Sequence, residues 1–167
     1  MNFNLGDHVV HRTFGLGIVM SIEGMELAGT GPGLFYRVDF IKTTVWVPVD
    51  DLSKSGLRPV TPKGHLAQYR DLLKSSPVTL DKDYRKRQIE LEKRREGGTF
   101  QGLCEVIRDL TALNVEKPLN SYEKKLFNQT REALVLEWSA TSGISRNEAM
   151  SDIDGCLYKG RQGPYRV

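Results

Sequence analysis

The sequence predicts an α+β protein in which a small β-barrel precedes an all-α helical bundle. Three observations support this class. Residues 1–60 contain short β-branched and aromatic runs that are separated by glycines, whereas apolar residues after residue 61 recur with helical spacing. A seam with Pro and Gly at residues 51–62 separates the two patterns. We therefore predict two domains, residues 1–60 and residues 61–154.

Strand-like segments occupy much of the first domain, at residues 7–10, 18–22, 34–40 and 43–49. Tyr36, Val38 and Phe40 alternate with polar residues, which indicates a strand with one buried face. Pro48 favours an edge position or the end of a strand, because proline cannot donate a ladder hydrogen bond. Several short strands with glycine corners predict a barrel of the SH3 or Tudor kind.

Helical periodicity begins after Thr61, a candidate cap with Pro62 at the first helical position. The predicted helix faces are marked by Leu66, Tyr69, Leu72 and Leu73, and by Phe100, Leu103, Cys104, Ile107 and Leu110. Asn120 with Glu123, and Ser145 with Glu148, have the spacing of a capping box, and the second pair predicts a short helix to about residue 153. Residues 155–167 contain glycines and few apolar residues, which predicts a flexible tail.

Composition limits the cellular setting. The chain has no run of eighteen apolar residues and no signal-peptide pattern at its N-terminus, so we expect neither a membrane span nor secretion. The two distant cysteines, Cys104 and Cys156, fit free thiols in a reducing cytoplasm. Residues 1–60 carry five Lys/Arg against six Asp/Glu, whereas residues 61–167 carry nineteen against fifteen, so an anionic partner is expected for the second part.

An aromatic residue lies within the most basic segment of the chain. Residues 82–96 hold seven Lys/Arg against four Asp/Glu, and Tyr84 stands among them. Cations neutralise phosphates and an aromatic ring can wedge between bases, so nucleic acid is the first candidate partner. A solvated helix with i,i+4 ion pairs is an equally good interpretation of this segment alone.

Catalytic, metal and cofactor motifs are missing from the sequence. His8, His11 and His65 have no cysteine or carboxylate partners at metal-ligand spacing. There is no nucleophile elbow and no P-loop lysine, and the Gly15-Leu16-Gly17 segment lacks the third glycine of a dinucleotide fingerprint. We therefore expect no enzymatic activity, no bound metal and no cofactor.

Six motifs occur in the order typical of a known family: Phe3-x-x-Gly6-Asp7-x-Val9-Val10, Gly15-x-Gly17-x-Val19, Tyr36-x-Val38-Asp39-Phe40, Val47-Pro48-Val49, Gly56-Leu57-Arg58 and Glu105-Val106-Ile107-Arg108-Asp109-Leu110. The chain resembles the CarD/CdnL family of bacterial transcription regulators over residues 1 to about 153. The resemblance implies an N-terminal Tudor-like domain that binds the RNA polymerase β subunit. It also implies a helical domain that contacts promoter DNA at the upstream edge of the melted region, where an aromatic, usually Trp, wedges into the minor groove.

The resemblance assigns the role of the wedging aromatic to Tyr84. This position follows from counting back, without gaps, from the motif at residues 105–110. Lys86 and Arg87 match basic residues that follow the wedge in the family, and Arg85 adds a cation. Further candidate DNA contacts are Lys93, Lys124 and Lys125. Tyr replaces the usual Trp, and Ile89 stands where some relatives have a basic residue. The alternatives are that Tyr84 packs against the bundle and that the lysines form a solvated helix face.

The resemblance also implies that an edge strand of the barrel, matched here by residues 43–49, pairs with the polymerase β subunit with the help of basic side chains. The candidate contacts are Met25, Thr44, Val45, Trp46, Val47 and Pro48. Met25 and Trp46 stand where some relatives carry arginine, which predicts a more apolar contact. Trp46 could serve as an interface anchor or as a core residue, and the sequence leaves both open.

The implied function is to stabilise the open promoter complex without recognising a specific operator. We expect a cytoplasmic monomer that reaches the nucleoid through RNA polymerase. One alternative is a protein-binding adaptor with a Tudor/SH3-like barrel and no DNA contact. A second is a DNA-binding protein that acts without the polymerase.

Overall fold

The structure, a computed structural model, describes residues 3–29 and 31–161. Its contacts divide the chain into two compact units between Val60 and Thr61, the position at which the hydrophobic periodicity changes. The first unit contains an antiparallel sheet and the second contains helices. The predicted α+β class is therefore confirmed.

The first unit is a five-stranded antiparallel sheet with the order β4-β3-β2-β1-β5. Its strands are β1 (His8–His11), β2 (Gly15–Leu27), β3 (Gly31–Phe40), β4 (Thr44–Pro48) and β5 (Leu57–Pro59), and a short helix α1 (Leu52–Ser55) precedes β5. Val9, Val19 and Val38 are fully buried in the core of the sheet. The strands β2 and β3 are longer than the strand-like segments predicted at residues 18–22 and 34–40, because they pair as far as Leu27 and Gly31. The strand β5 was not predicted, since three residues are too few for a periodic pattern.

The second unit contains α2 (Leu66–Lys74), α3 (Tyr84–Glu96), α4 (Phe100–Glu116), α5 (Ser121–Ser142) and α6 (Arg146–Arg161). Its main core is built around Trp138, Leu134 and Ile107, each fully buried. The prediction that Thr61 caps a helix is wrong. Its amide and hydroxyl both donate to Glu137 Oε1, at 3.0 and 2.9 Å, and α2 begins only at Leu66.

The predicted flexible tail is wrong over residues 155–161. The helix α6 begins after the predicted Ser145–Glu148 capping box and continues to Arg161. Cys156 and Leu157 are buried in the main core, so this last part of α6 is held by packing. Residues 162–167 of the predicted tail lie outside the described residues.

The helix α3 has little apolar surface with which to dock. Leu91 is its fully buried apolar residue and joins a small cluster with Leu80, Val106, Leu110, Leu119 and Leu126. The helix lies very close to α4 at Gly102, where an added Cβ would be 2.5 Å from the carbonyl oxygen of Arg94. Glycine at this position therefore permits the close approach of the two helices.

A buried carboxylate on α4 supplies the polar part of this packing. Asp109 is 1% exposed and accepts from Arg94 Nη1 at 2.6 Å, from Arg108 Nε at 2.7 Å and from the Val78 amide at 3.0 Å. Arg108 also donates to the Ser75 hydroxyl at 2.8 Å. Asp109 thus joins α4 to α3 and to the segment between α2 and α3, and its buried charge is fully bonded.

We predict that Gly102→Ala destabilises the helical unit by about 1–3 kcal/mol, because the new methyl group would press on the Arg94 carbonyl. Gly155→Ala is the matched control, since a Cβ at that helical position meets nothing within 4 Å. Alanine should there stabilise the helix by up to about 1 kcal/mol. Urea unfolding of the full chain, followed by far-UV circular dichroism, measures both. Equal effects of the two substitutions would contradict this account of the α3–α4 contact.

We predict that Asp109→Asn lowers the free energy of unfolding by about 3–5 kcal/mol, because the buried Arg108 would lose its counter-charge and Arg94 would keep only Glu90. Asp154→Asn is the control. Asp154 pairs with Arg131 at 2.7 Å, but its side chain is 52% exposed, so its loss should cost less than about 1 kcal/mol. The same urea titration separates the two, and a small effect at Asp109 would show that α3 docks without this carboxylate.

Candidate functional site

Tyr84 is the first residue of α3 and is 55% exposed. The residue before it, Asp83, caps the helix, since its carboxylate accepts from the amides of Arg85 at 2.8 Å and Lys86 at 3.3 Å. This cap satisfies two amides that would otherwise be unpaired at a helix start. Tyr84 is thus a solvent-facing aromatic on a well-formed first turn, and it does not pack inside the bundle.

A cation accompanies the Tyr84 ring. Arg85 Nε donates to the Tyr84 hydroxyl at 3.1 Å, and its guanidinium carbon lies 5.7 Å from the ring centroid. The phenol therefore has a partner in the free protein, although the ring remains open to solvent. The pair places an apolar surface directly beside a positive charge.

Five of the seven cations in residues 82–96 are exposed. We call them the exposed cations, and they are Lys82, Arg85, Lys86, Lys93 and Arg95. Lys86 and Lys93 lie seven residues apart and share one side of α3. Ile89, which is 66% exposed, lies between Arg85 and Lys93 at i+4 spacing. The outward side of α3 is therefore positive with an apolar residue at its middle.

The prediction that Arg87 contacts DNA is wrong. Arg87 is 4% exposed, and its Nε donates to Glu123 Oε1 of α5 at 2.6 Å. Its Nη1 donates to the carbonyl oxygens of Asp81 and Lys82, at 2.7 and 3.2 Å. A guanidinium buried in this way cannot reach a phosphate without breaking a buried ion pair. The sequence pattern could not separate it from its neighbours, because the whole segment is basic.

Lys124 and Lys125 are both exposed on the first turn of α5. Lys125 and Arg95 line a cleft of about 380 Å³ between α3 and α5, together with Glu92, Glu96, Tyr122, Leu126 and Gln129. The Tyr122 hydroxyl donates to Glu92 at 2.7 Å. Burial and this bond raise the pKa of Tyr122, while the same bond lowers the pKa of Glu92. With two carboxylates in its wall, the cleft itself is of mixed charge, unlike the outward side of α3.

The strand β4 lies at one edge of the sheet, with β3 as its paired neighbour among the described residues. Thr44, Val45 and Pro48 are partly buried, and Met25 on β2 is partly buried opposite Gly33. Val47 is 3% exposed and belongs to the sheet core. The prediction that Val47 contacts a partner is therefore wrong for its side chain, because strand alternation turns it inward.

Trp46 faces outward and is 40% exposed. Its indole Nε1 donates to Glu23 Oε2 at 2.9 Å, and its cross-strand neighbour on β3 is Arg37. Hydrogen bonds from Ser21 and Trp46 lower the pKa of Glu23. The surface around Trp46 therefore combines an aromatic ring with both signs of charge, and it is less apolar than the sequence predicted.

Other types of site receive little support. Across residues 3–29 and 31–161, no group of three or more His, Cys, Asp or Glu side chains is arranged to hold a metal ion. Burial raises the pKa of the Cys104 and Cys156 thiols, which keeps them protonated. Within the same residues, no helix combines the length and the apolar character needed to cross a bilayer.

Sequence reasoning identified the exposed aromatic but missed the groups that hold it. The Asp83 cap was not predicted, although an Asp immediately before a helix is a recognised signal. Glu123 was identified only as a member of a capping box. That box is present, since Glu123 Oε2 accepts from the Asn120 amide at 2.9 Å, but the same carboxylate also binds Arg87.

Comparison with known proteins gives matches along both units. Residues 3–61 match the CarD-like/TRCF RID domain, and residues 69–154 match the C-terminal domain of CarD. The chain is 28% identical over 151 residues to a Bacillus subtilis (strain 168) protein described as "Putative transcription factor YdeB", and the similarity covers 89% of this chain and 98% of that protein. The C-terminal match alone covers more than half of the 167 residues. The chain therefore belongs to the CarD family of transcription regulators.

Proposed function

We propose that this protein stabilises the open promoter complex. Its sheet unit binds the β subunit of RNA polymerase, and its helical unit contacts promoter DNA at the upstream edge of the bubble. The observation that carries the proposal is the 55% exposed Tyr84 ring at the start of α3, flanked by the exposed cations. The family membership and the domain match at residues 3–61 support the same assignment.

A wedge needs an apolar ring that is free in solution and held at the end of a rigid element. Side chains that enter the minor groove partly unstack a base step, and the neighbouring cations bind the phosphates on either side. Tyr84 meets the first requirement, and the Asp83 cap meets the second. Tyr fills less space than the family's usual Trp and carries a hydroxyl. It therefore fills the gap between the unstacked bases less completely and stabilises the melted DNA less.

The phosphate contacts follow from which cations are exposed. Arg85 and Lys86 lie beside the wedge, and Lys93 lies two turns further along α3. Lys124 and Lys125 extend the positive surface onto α5. Such contacts carry no base information, which agrees with action at promoters of different sequence.

Tethering makes a weak DNA contact sufficient. An open and a closed complex differ by a few kcal/mol, so a ligand with a modest preference for melted DNA shifts the balance. Docking on the polymerase raises the local concentration of the helical unit near the DNA. The modest net charge of +3 for the whole chain fits a protein that depends on such docking, in the cytoplasm and at the nucleoid.

The polymerase contact is proposed at β4 and the surface beside it. The outer edge of β4 can accept a further strand, and Trp46 supplies an aromatic anchor next to Glu23 and Arg37. Thr44, Val45 and Pro48 belong to this edge strand, and Met25 is a further proposed contact on β2. Val47 contributes only its backbone, because its side chain lies in the core.

We predict that Tyr84→Ala reduces the gain in open-complex half-life about tenfold, because losing one aromatic–base contact costs ~1–3 kcal/mol. Tyr84→Trp should lengthen the half-life, since the larger ring fills more of the gap. The decay of competitor-resistant complexes, with polymerase and the full-length variants, measures both. Binding to the polymerase should not change.

Tyr158→Ala is the matched control for Tyr84. Tyr158 is also 55% exposed and also lies beside an arginine, with Arg161 at 6.0 Å from its ring centroid. It should leave the half-life unchanged. If Tyr84→Ala also had no effect while polymerase binding persisted, the adaptor function would replace the one proposed here.

We predict that Trp46→Ala weakens binding to a polymerase β fragment by roughly tenfold or more, as expected for an aromatic anchor. Trp46→Phe keeps much of the contact area but removes the donor to Glu23, so its effect should be intermediate. Calorimetric titration of the full chain against the β fragment measures both.

Phe14→Ala is the control for Trp46, because Phe14 is exposed to a similar extent, 43%, but lies in the turn between β1 and β2. It should bind the β fragment normally. If Phe14→Ala weakened binding as much as Trp46→Ala, the interface would have to lie away from β4.

A further inference from the structure

We infer that Arg87 is a positioning residue for Tyr84. Its buried guanidinium connects helix α5 with the segment that precedes α3, and so fixes the direction in which the Tyr84 ring points. The inference rests on the proposed function for its consequence on DNA. Its structural part, that Arg87 holds the first turn of α3 in place, concerns the protein without DNA and does not depend on the proposed function.

Arg87 uses two different sides of its guanidinium group. Nε binds the carboxylate of Glu123 at 2.6 Å, in a pair whose side chains are 5% and 3% exposed. Nη1 binds the carbonyl oxygens of Asp81 and Lys82, the third and second residues before Tyr84. One side chain thus connects α5 to the backbone that leads into α3.

The carboxylate of Glu123 is itself immobilised. Its second oxygen accepts from the Asn120 amide at 2.9 Å, and its own amide donates to the Asn120 side chain at 2.9 Å. Glu123 is 2% exposed, so water does not compete for these bonds. Arg87 is therefore anchored to a group that cannot easily move.

The segment held by Arg87 is also bonded within itself. The Asp83 amide donates to Asp81 Oδ1 at 2.8 Å, and the Arg87 amide donates to the Asp83 carbonyl at 3.0 Å. Asp83 in turn caps the first turn through Arg85 and Lys86. The backbone on both sides of Tyr84 is thereby tied to α5 through a single guanidinium.

This arrangement requires arginine rather than a general positive charge. A lysine ammonium is a compact point charge, and it cannot direct separate donors at Glu123 and at the two carbonyl oxygens in the geometry of a planar fork. A residue that acted by touching phosphate would tolerate lysine far better. Arg87→Lys therefore distinguishes positioning from direct DNA contact.

Preorganisation is the reason that this hold affects DNA. A ring that is already oriented loses less conformational freedom when it inserts, so more of its contact energy appears as preference for melted DNA. A ring on a loosened first turn makes the same contacts in the complex, but the entropy lost when that turn becomes ordered reduces the net free energy of binding.

The experiment compares Arg87→Lys with Arg94→Lys in the full-length protein. Arg94 is the matched control, because it is the other α3 arginine that pairs with a buried carboxylate, Asp109, but it lies on the third turn. Hydrogen exchange of the Arg85 and Lys86 amides should become about tenfold faster in Arg87→Lys and change little in Arg94→Lys. Unchanged exchange at these two amides in Arg87→Lys would overturn the inference.

The second measurement is a double-mutant cycle on open-complex half-life. If Arg87 acts through Tyr84, Arg87→Lys shortens the half-life about threefold in the wild-type background and has no further effect in Tyr84→Ala. Equal effects in both backgrounds would mean that Arg87 acts independently of the ring, and the inference would fail.

Two further outcomes keep the test decisive. If Arg87→Lys does not fold, Glu123→Gln replaces it, since glutamine can keep the capping box while removing the charge that anchors Arg87. If exchange accelerates as expected but Tyr84→Ala leaves the half-life unchanged, the positioning of Tyr84 stands and the proposed function fails.

Discussion

The interaction on which the proposed DNA-binding surface depends is the pairing of two arginines of a highly charged helix with buried carboxylates on other helices. The helix α3 has one fully buried apolar residue, Leu91, and too little hydrophobic surface to dock by that alone. Arg87 and Arg94 flank Leu91 on its inner side and pair with Glu123 and Asp109. Buried charges are costly unless they are fully bonded, so both carboxylates are also supplied with backbone donors.

This packing divides the cations of one segment into two groups with different tasks. Those turned inward hold the helix, and those turned outward remain available to a polyanion. Tyr84 lies at the boundary between the groups, on the turn that Arg87 and the Asp83 cap keep in place. Rigidity and exposure, which usually oppose each other for an aromatic side chain, are combined at this position.

The sheet unit presents a different kind of surface. Its edge strand β4 alternates a buried Val47 with an exposed Trp46, so one residue stabilises the core while the ring of its neighbour is open to solvent. The charged residues next to Trp46 give the surface directional hydrogen bonds as well as apolar area. A contact of this composition favours specificity over simple adhesion.

The sequence by itself determined the α+β class, the change of periodicity near residue 61, the capping boxes and the basic segment around Tyr84, because these depend on local propensity and on spacing along one chain. Only the tertiary structure decided that Arg87 turns inward while Arg85 and Lys86 stay outside, that residues 155–161 continue a packed helix, and that Thr61 binds Glu137. In each case the deciding partner lies on another element, many residues away. A pattern of charge along a helix does not reveal which charged side chains pair with a buried counter-charge. In α3 this pairing separates the arginines that fix the helix in place from the cations that remain exposed.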